Sequence, residues 1–138
     1  MKPIIFVSPA REEEYAFLFQ HETHISPAQL QKCLDDGRVL MARVDGQPAG
    51  WLRWSLFWDS VPFMSMLYVL EPFRGLGAGT ALTHAWEADM KKAMYPFVLT
   101  STSQDEYAQH FYVRLGYRAV GGFTPPGDPL ELILAKEL

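Results

Sequence analysis

The stretch Leu67-Tyr-Val-Leu-Glu-Pro-Phe-Arg-Gly-Leu-Gly-Ala-Gly-Thr80 decides how the rest of the chain is interpreted. Its apolar start predicts a strand, and the residues that follow the stretch have the spacing of a helix. In between, Gly75, Gly77 and Gly79 allow backbone conformations that side chains forbid, so several amide groups can converge on one anion. The start of the helix adds free N–H groups and a positive dipole end, and Arg74 adds a full charge. The stretch therefore predicts a strand, an anion-binding turn and the start of a helix.

The composition indicates one folded domain that spans residues 1–138. About half of the residues are apolar and 14% are aromatic, which is enough to build a core. The net charge is -4 and the basic residues are scattered, so the chain lacks the basic face of a nucleic-acid-binding protein. No apolar run approaches the ~20 residues of a membrane helix, and the run Ile4-Ile-Phe-Val7 is too short for a secretion signal. We expect a soluble, cytoplasmic protein without nucleic-acid or membrane partners.

The pattern of apolar residues predicts the element order β-α-α-β-β-β-α-β-α-β-β. Ser8 and Pro9 have the properties of a cap and a first residue, and they predict the start of the first helix. The third helix is expected from about Thr80 and the fourth over Asp105–Leu115. The order predicts an α/β protein of the α+β type, with a mixed sheet flanked by helices.

Two familiar phosphate-binding loops do not fit the glycine-rich stretch. Thr80 stands where a dinucleotide-binding loop needs glycine or alanine, and the following strand, Phe97 to Ser103, has no acidic residue for a ribose. The Gly-Lys-Ser/Thr ending of a nucleotide triphosphate loop is also missing. A tight connection with no ligand remains open at this point.

Two motifs resemble those of the GNAT superfamily of N-acetyltransferases. Arg74-Gly-Leu-Gly77-Ala-Gly79 resembles the signature Arg/Gln-x-x-Gly-x-Gly/Ala that follows a buried strand in that family. The segment Asp105-x-x-Ala108-x-x-Phe111-Tyr112-x-x-Leu115-Gly116-Tyr117 is similar to the late helix of the family, Asn-x-x-Ala-x-x-Leu/Phe-Tyr-x-x-Leu-Gly-Phe. The resemblance implies the GNAT fold, a mostly antiparallel central sheet of about seven strands flanked by four helices.

The resemblance also implies acetyl-CoA as the donor, bound in a gap between the fourth and fifth strands. The backbone of the fourth strand would bind the pantetheine, the arginine and the glycine loop would bind the pyrophosphate, and the late helix would supply further contacts. The residues implied are Leu67, Tyr68, Val69, Arg74, Gly75, Leu76, Gly77, Ala78, Gly79, Thr80, Asp105 and Tyr112. Two positions depart from the family, because Glu71 replaces the usual proline and Asp105 replaces the asparagine.

Acetyl transfer to an amine needs a proton donor for the thiolate and a base for the amine. Tyr112 matches the family's proton donor, although it also lies on the apolar face of its helix. The base is a water chain or a loop carboxylate, and Asp59 is the candidate, although an aspartate between two strands also suits a turn. Trp54 and Trp58 are even-spaced and would share a strand face, where they wall an acceptor pocket or pack beneath the helices. His21-Glu-Thr-His24 lacks the spacing of a zinc motif, so we expect no metal.

The first functional hypothesis is an N-acetyltransferase that transfers acetyl from acetyl-CoA to a primary amine directly, within a ternary complex. The acceptor is a small-molecule amine or a protein amine. An acyl-CoA sensor without turnover is the alternative, because the fourth strand has no carboxylate between Phe63 and Leu70. An interaction domain whose glycine turn is merely structural is the third. A homodimer formed through the last strands is in keeping with the family.

Overall fold

The computed structural model describes residues 1–138, which form seven strands and four α-helices. The strands are β1 (Ile5–Pro9), β2 (Val39–Val44), β3 (Gln47–Phe57), β4 (Val61–Val69), β5 (Phe97–Ser103), β6 (Arg118–Phe123) and β7 (Glu131–Glu137). The helices are α1 (Tyr15–His21), α2 (Pro27–Asp35), α3 (Ala78–Lys92) and α4 (Ala108–Arg114), with short 3₁₀ turns at Glu12–Glu14 and Glu71–Phe73. None of the four α-helices combines the length and the apolar character that crossing a bilayer requires.

The seven strands form one mixed sheet in the order β1-β2-β3-β4-β5-β7-β6. The pairs β1–β2, β2–β3, β5–β7 and β6–β7 are antiparallel. The pair β4–β5 is parallel, with Phe63 opposite Leu99 and Met64 opposite Thr100. The predicted fold class, element order and mostly antiparallel sheet are therefore confirmed.

Helix starts are the main departure from the sequence-based expectation. Ser8 and Pro9 do not begin a helix, since they belong to β1 and pair with Met41 and Leu40 of β2. A proline is tolerated there because β1 is an edge strand, where no ladder hydrogen bond is needed on the outer side. Helix α3 begins two residues before Thr80, and α4 begins three residues after the expected start.

The chain comprises two compact units, of which the first contains Met1–Ser55 and Met66–Trp86. In this unit α1 and α2 pack against β2 and β3. The buried core residues shared by these elements are Leu18, Leu30, Cys33, Leu34, Val39, Met41 and Trp51. All six residues of β2 are buried, so charged groups on this strand need partners inside the protein.

Glu14, just before α1, is the partner of a buried arginine of β2. Its carboxylate accepts hydrogen bonds from Nε of Arg43 at 2.7 Å and from Nη2 of the same side chain. It also accepts one from the amide of Arg11 at 2.9 Å. Burial alone would raise the pKa of Glu14, but the hydrogen bonds and charges of Arg43 and Arg11 outweigh it and hold the pKa below 4.5. The ion pair fixes the start of α1 to β2.

The second unit contains Leu56–Ser65 and Glu87–Leu138. Glu87, in the C-terminal half of α3, accepts a hydrogen bond from the Tyr117 hydroxyl at 2.7 Å and one from Nζ of Lys136 on β7 at 2.8 Å. Burial raises the pKa of Tyr117, and the hydrogen bond to Glu87 and its charge raise it further. Tyr117 therefore stays neutral and donates its hydrogen, which ties this part of α3 to the final strand.

Replacing Glu14 by glutamine should lower the free energy of unfolding by about 3 kcal/mol, because a buried pair that loses one partner leaves an uncompensated charge. Arg43 is only 3% exposed, so water cannot take the place of the carboxylate. Urea unfolding at neutral pH measures the change. Glu13→Gln is the matched control. Because Glu13 is exposed, this substitution should change the free energy of unfolding by less than about 0.5 kcal/mol. Equal losses in both variants would contradict the role of the pair.

The same pair predicts how stability depends on pH. The pKa of Glu14 is lower in the folded state than its ordinary value of 4.5. The contribution of Glu14 to the free energy of unfolding is therefore fully present above pH 4.5 and declines as the pH falls through the folded-state pKa. The stability difference between wild type and Glu14→Gln should therefore be constant near neutral pH and shrink below about pH 4.5. Urea unfolding repeated at decreasing pH measures it, and a difference that grows on acidification would show the opposite sign.

Candidate functional site

The connection from β4 to α3 passes through a 3₁₀ turn and a glycine loop in the first unit. Gly75 and Gly77 have φ angles of +78° and +97°, conformations that side chains rarely adopt. A Cβ at Gly75 would meet no atom within 4 Å, so the space beside it is open. Only Leu76 carries a side chain between Arg74 and Ala78, and that side chain is exposed. The loop therefore leaves its amides accessible.

The start of α3 provides N–H groups that have no partner inside the helix. The first hydrogen bond of the helix runs from the amide of Ala81 to the carbonyl of Gly77 at 3.0 Å. The amides of Ala78, Gly79 and Thr80 precede this bond, so they have no acceptor in the helix. Together with the positive end of the helix dipole, these groups suit an anion such as a phosphate.

Arg74 folds back onto the end of β4. Its Nε donates to the Val69 carbonyl at 2.9 Å, and its guanidinium carbon lies 5.5 Å from the centre of the Tyr68 ring. The side chain is exposed, and its two Nη groups make no hydrogen bond within the protein. A guanidinium has five N–H groups, so four remain available to an anion while the fifth holds the side chain in place.

The end of β4 has one backbone edge toward β3 and one away from it. The amide of Leu70 donates to the Ala49 carbonyl of β3 at 2.8 Å. Successive residues of a strand direct their backbone groups to opposite edges, so those of Val69 and Leu67 point away from β3 and those of Tyr68 point toward it. Among the predicted residues, Leu67 and the amide of Val69 thus offer backbone groups to an additional extended chain, whereas the Val69 carbonyl already accepts from Arg74. Tyr68 contributes its ring instead.

Gly50 of β3 allows the two strands to approach closely at this point. A Cβ on residue 50 would lie 2.5 Å from the carbonyl oxygen of Tyr68 and 3.1 Å from Cα of Val69, which is too close for any side chain. The next residue, Trp51, stacks on the Tyr68 ring with 5.0 Å between the ring centres and 29° between the planes. The close approach and the stack fix the end of β4 against β3.

The second motif places Tyr112 on α4, within the second unit. Tyr112 is buried, and Thr100 of β5 donates through Oγ1 to the Met64 carbonyl of β4 at 3.0 Å. Burial raises the pKa of Tyr112 above its ordinary value of 10.0, and its neighbour Thr100 offsets the rise only in part. The phenol therefore keeps its proton at neutral pH, as a general acid must.

Asp105 lies in the turn before α4, because the helix begins only at Ala108. It is exposed, and its amide donates to Oγ of Ser103 at 3.3 Å. It also lines a surface cavity of about 410 Å³ in the second unit. The carboxylates around this cavity are those of Asp105, Glu106, Asp128 and Glu131. Their charge favours a cationic group in the cavity.

Trp58 and Asp59 form the turn between β3 and β4. Their φ angles are +55° and +58°, and the amide of Ser60 donates to the Phe57 carbonyl at 3.1 Å, which is the pattern of a type I′ turn. The prediction that Trp54 and Trp58 share a strand face is wrong, because β3 ends at Phe57 and the alternation stops there. Trp54 is half-buried within β3, Trp58 is 79% exposed, and the acceptor role of these residues stays a prediction.

A buried network around Glu22 was missed in the sequence. The Glu22 carboxylate accepts hydrogen bonds from Nε1 of Trp51 at 3.0 Å, from Nε of Arg53 at 3.3 Å and from the amide of His24 at 3.0 Å. Burial alone would raise the pKa of Glu22, but the Trp51 and His24 hydrogen bonds and the Arg53 charge outweigh it and lower the pKa. Trp51 and Arg53 are two residues apart on β3 and both donate to Glu22, so their spacing is a signal from which a shared partner could have been inferred.

Comparisons with known proteins identify a family for the sequence and similar folds for the structure. The Acetyltransferase (GNAT) family model matches residues 6–117. No curated protein sequence matches the chain. Among solved structures, Ard1 from Thermoplasma volcanium is 15% identical over 97% of both chains, with a TM-score of 0.82.

Two further solved structures were captured with ligands. Naa50 from Arabidopsis thaliana, in complex with the bisubstrate analogue CoA-Ac-MVNAL, is 16% identical over 97% of this chain and 99% of that one, with a TM-score of 0.75. A GNAT family acetyltransferase from Elizabethkingia anophelis with acetyl-CoA bound is 17% identical over 97% of this chain and 98% of that one, with a TM-score of 0.74. At these identities the likeness concerns the fold, whereas the family model covers most of the sequence. The chain belongs to the GNAT family of acetyltransferases.

Proposed function

We propose that this chain is an acetyl-CoA-dependent N-acetyltransferase that transfers acetyl directly to a primary amine within a ternary complex. The observation that carries the proposal is the group of donors at the start of α3. The amides of Ala78, Gly79 and Thr80 lack intrahelical acceptors, and Arg74, which directly precedes the same loop, has free Nη groups. A diphosphate accepts hydrogen bonds from such donors. The family match supports the acetyl chemistry.

When bound, acetyl-CoA supplies an activated acetyl group as a thioester. We assign its diphosphate to Arg74 and residues 75–80, and its pantetheine amides to the outward-facing backbone groups of Leu67 and the amide of Val69. The open space beside Gly75 fits this assignment, since a Cβ there would meet no atom within 4 Å. Asp105 borders the acidic cavity, so we assign it to the acceptor side more readily than to an anionic donor.

Tyr112 is the residue that we assign to protonate the departing thiolate. In the transfer, the amine nitrogen attacks the thioester carbonyl carbon, the C–S bond breaks, and the sulfur takes a proton from the Tyr112 hydroxyl. The acceptor nitrogen loses its proton to water, or to Asp59 as the candidate carboxylate. Burial keeps Tyr112 protonated, but the raised pKa also makes it a weaker acid than free tyrosine.

The acceptor we propose is a cationic small-molecule amine or a peptide amine. The acidic cavity beside Asp105 supports a cationic acceptor. The peptide part of the analogue bound to Naa50 supports a test of peptide α-amines. We further propose that residues 1–138 function as one cytoplasmic domain, while association of two copies through β6 and β7 stays a prediction.

An acyl-CoA sensor without turnover is the second candidate. The observation that favours it is that neither β4 nor the segment Phe97–Ser103 contains a carboxylate to act as a base. A panel of polyamines, amino acids and short peptides, assayed with a thiol reagent in the presence of acetyl-CoA, separates the two functions. Steady thiol release that depends on an added amine excludes a pure sensor, and binding without release with every amine excludes the transferase.

Acetyl-CoA should stabilise the folded protein, because a ligand that binds only the native state adds about 2.7 kcal/mol at one hundred times its dissociation constant. For a domain of this size the melting temperature should rise by roughly 10 °C, as measured by differential scanning fluorimetry. Pantetheine, which lacks the diphosphate, should give a smaller shift at equal concentration. The absence of any shift with millimolar acetyl-CoA would contradict the donor site.

Gly77→Ala should weaken CoA binding at least tenfold, because a φ of +97° is strained for alanine and the loop must move. Gly46→Ala is the matched control, since Gly46 has a φ of +83° in the β2–β3 turn with open space around it. Both variants should lose comparable stability, but isothermal titration calorimetry should show weaker CoA binding only for Gly77→Ala. Equal binding by both variants would remove the loop from the donor site.

Tyr112→Phe should lower kcat by about 100-fold, the lower end of the range for general acid catalysis, because the raised pKa makes this phenol a weak acid. Its affinity for CoA should be unchanged. Tyr107→Phe is the matched control, since Tyr107 precedes the same helix and is exposed. A value of kcat for Tyr112→Phe within twofold of wild type would give Tyr112 a structural role only.

A further inference from the structure

The Tyr68 ring contacts two residues that belong to different parts of the first unit. The Trp51 indole stacks on it at 5.0 Å, and the Arg74 guanidinium carbon lies 5.5 Å from its centre. Arg74 is also bonded through Nε to the Val69 carbonyl. A guanidinium over an aromatic ring gains about 0.5–1 kcal/mol at an exposed site, so the contact favours one orientation of the arginine.

The Trp51 indole is itself held rigidly. Trp51 is 1% exposed, and its Nε1 donates to the Glu22 carboxylate at 3.0 Å. Glu22 is buried and receives further hydrogen bonds from Arg53 and His24. Phe17 of α1 packs edge-on against the indole at 6.1 Å. The indole therefore presents a fixed face to Tyr68.

An exposed arginine loses side-chain entropy when it binds an anion, at a cost of about 0.5–1.5 kcal/mol for a rotamer-rich side chain. Arg74 is exposed and would have this freedom without its neighbours. The Tyr68 ring and the Val69 carbonyl restrict it before any ligand arrives and leave both Nη groups free. Part of the entropy cost of binding is thereby removed.

We propose that Tyr68 and Trp51 are positioning residues that hold Arg74 ready for the diphosphate of CoA, with Glu22 as the anchor of Trp51. This inference rests on the proposed donor site. The donor site as proposed uses only backbone groups of β4 for the pantetheine. The inference adds a role in CoA binding for the side chains of Tyr68 and Trp51. A merely structural role for the stack would affect every ligand of β4 equally, whereas positioning of Arg74 affects only ligands that carry a diphosphate.

A double-mutant cycle between residues 68 and 74, measured with two ligands, tests the inference. Tyr68→Leu should weaken CoA binding by about fivefold and leave pantetheine binding unchanged. Arg74→Ala should weaken CoA binding more strongly, and the double variant should be no worse than Arg74→Ala alone. Tyr68→Phe keeps the ring and should bind CoA like wild type. Isothermal titration calorimetry measures the affinity for CoA, and an NMR titration measures the weaker binding of pantetheine.

The NMR signal of the Arg74 Nε–Hε group provides a readout in the free protein. In wild type it should be slow to exchange with water, because Nε donates to the Val69 carbonyl, and shifted by the ring current of Tyr68. Tyr68→Phe should preserve the shift and Tyr68→Leu should abolish it. Glu22→Ala should reduce it through Trp51, and the amide spectrum of each variant verifies that the protein is folded.

Additive losses in the cycle, or equal weakening of CoA and pantetheine by Tyr68→Leu, would overturn the inference while leaving the donor site intact. An Arg74 signal that is unchanged in Tyr68→Leu would overturn it as well. No CoA binding by the wild-type protein would overturn the proposed function, and this inference with it. The two failures are thus distinguishable.

Discussion

Helix α1 is held at both of its ends by a buried carboxylate. Glu14 precedes the helix and is bonded to Arg43 of β2, and Glu22 follows it and is bonded to Trp51 and Arg53 of β3. Buried charges are costly unless they are paired, so a shifted position of the helix on the sheet would leave charges without partners. The two carboxylates therefore restrict α1 to one position on β2 and β3.

This constraint extends from the helical layer to the candidate donor site. The carboxylate after α1 orients the Trp51 indole, the indole stacks on Tyr68, and the Tyr68 ring lies beside the guanidinium that follows β4. The end of β4 is thereby packed against a buried, hydrogen-bonded side chain of β3. A binding site on rigid elements loses less entropy when it is occupied.

The sequence predicted the parts of the site that are local in the chain. The glycine loop, Arg74 and the start of α3 lie within a few residues of each other, and φ angles above zero at two glycines follow from the residue type. The Glu22–Trp51 bond joins residues that are 29 positions apart, so it depends on how the helix docks on the sheet. No local pattern contains that information.

The errors have a similar physical origin. Ser8 and Pro9 have the properties of a helix start, but the same residues fit an edge strand, and pairing with β2 decides between the two. The even spacing of Trp54 and Trp58 indicates a shared face only while the strand continues. The type I′ turn ends β3 after Phe57, and its two central residues include no glycine that would have marked it.

Gly50 has a consequence for how this protein tolerates mutation. Residue 50 is not among the residues assigned to the donor, yet a single added methyl group would lie 2.5 Å from the Tyr68 carbonyl oxygen. Any side chain at residue 50 must push β3 and β4 apart, and Leu67 and Val69 lie on the displaced part of β4. In a genetic screen such an allele would behave as a loss of function although every residue assigned to the donor and acceptor is intact.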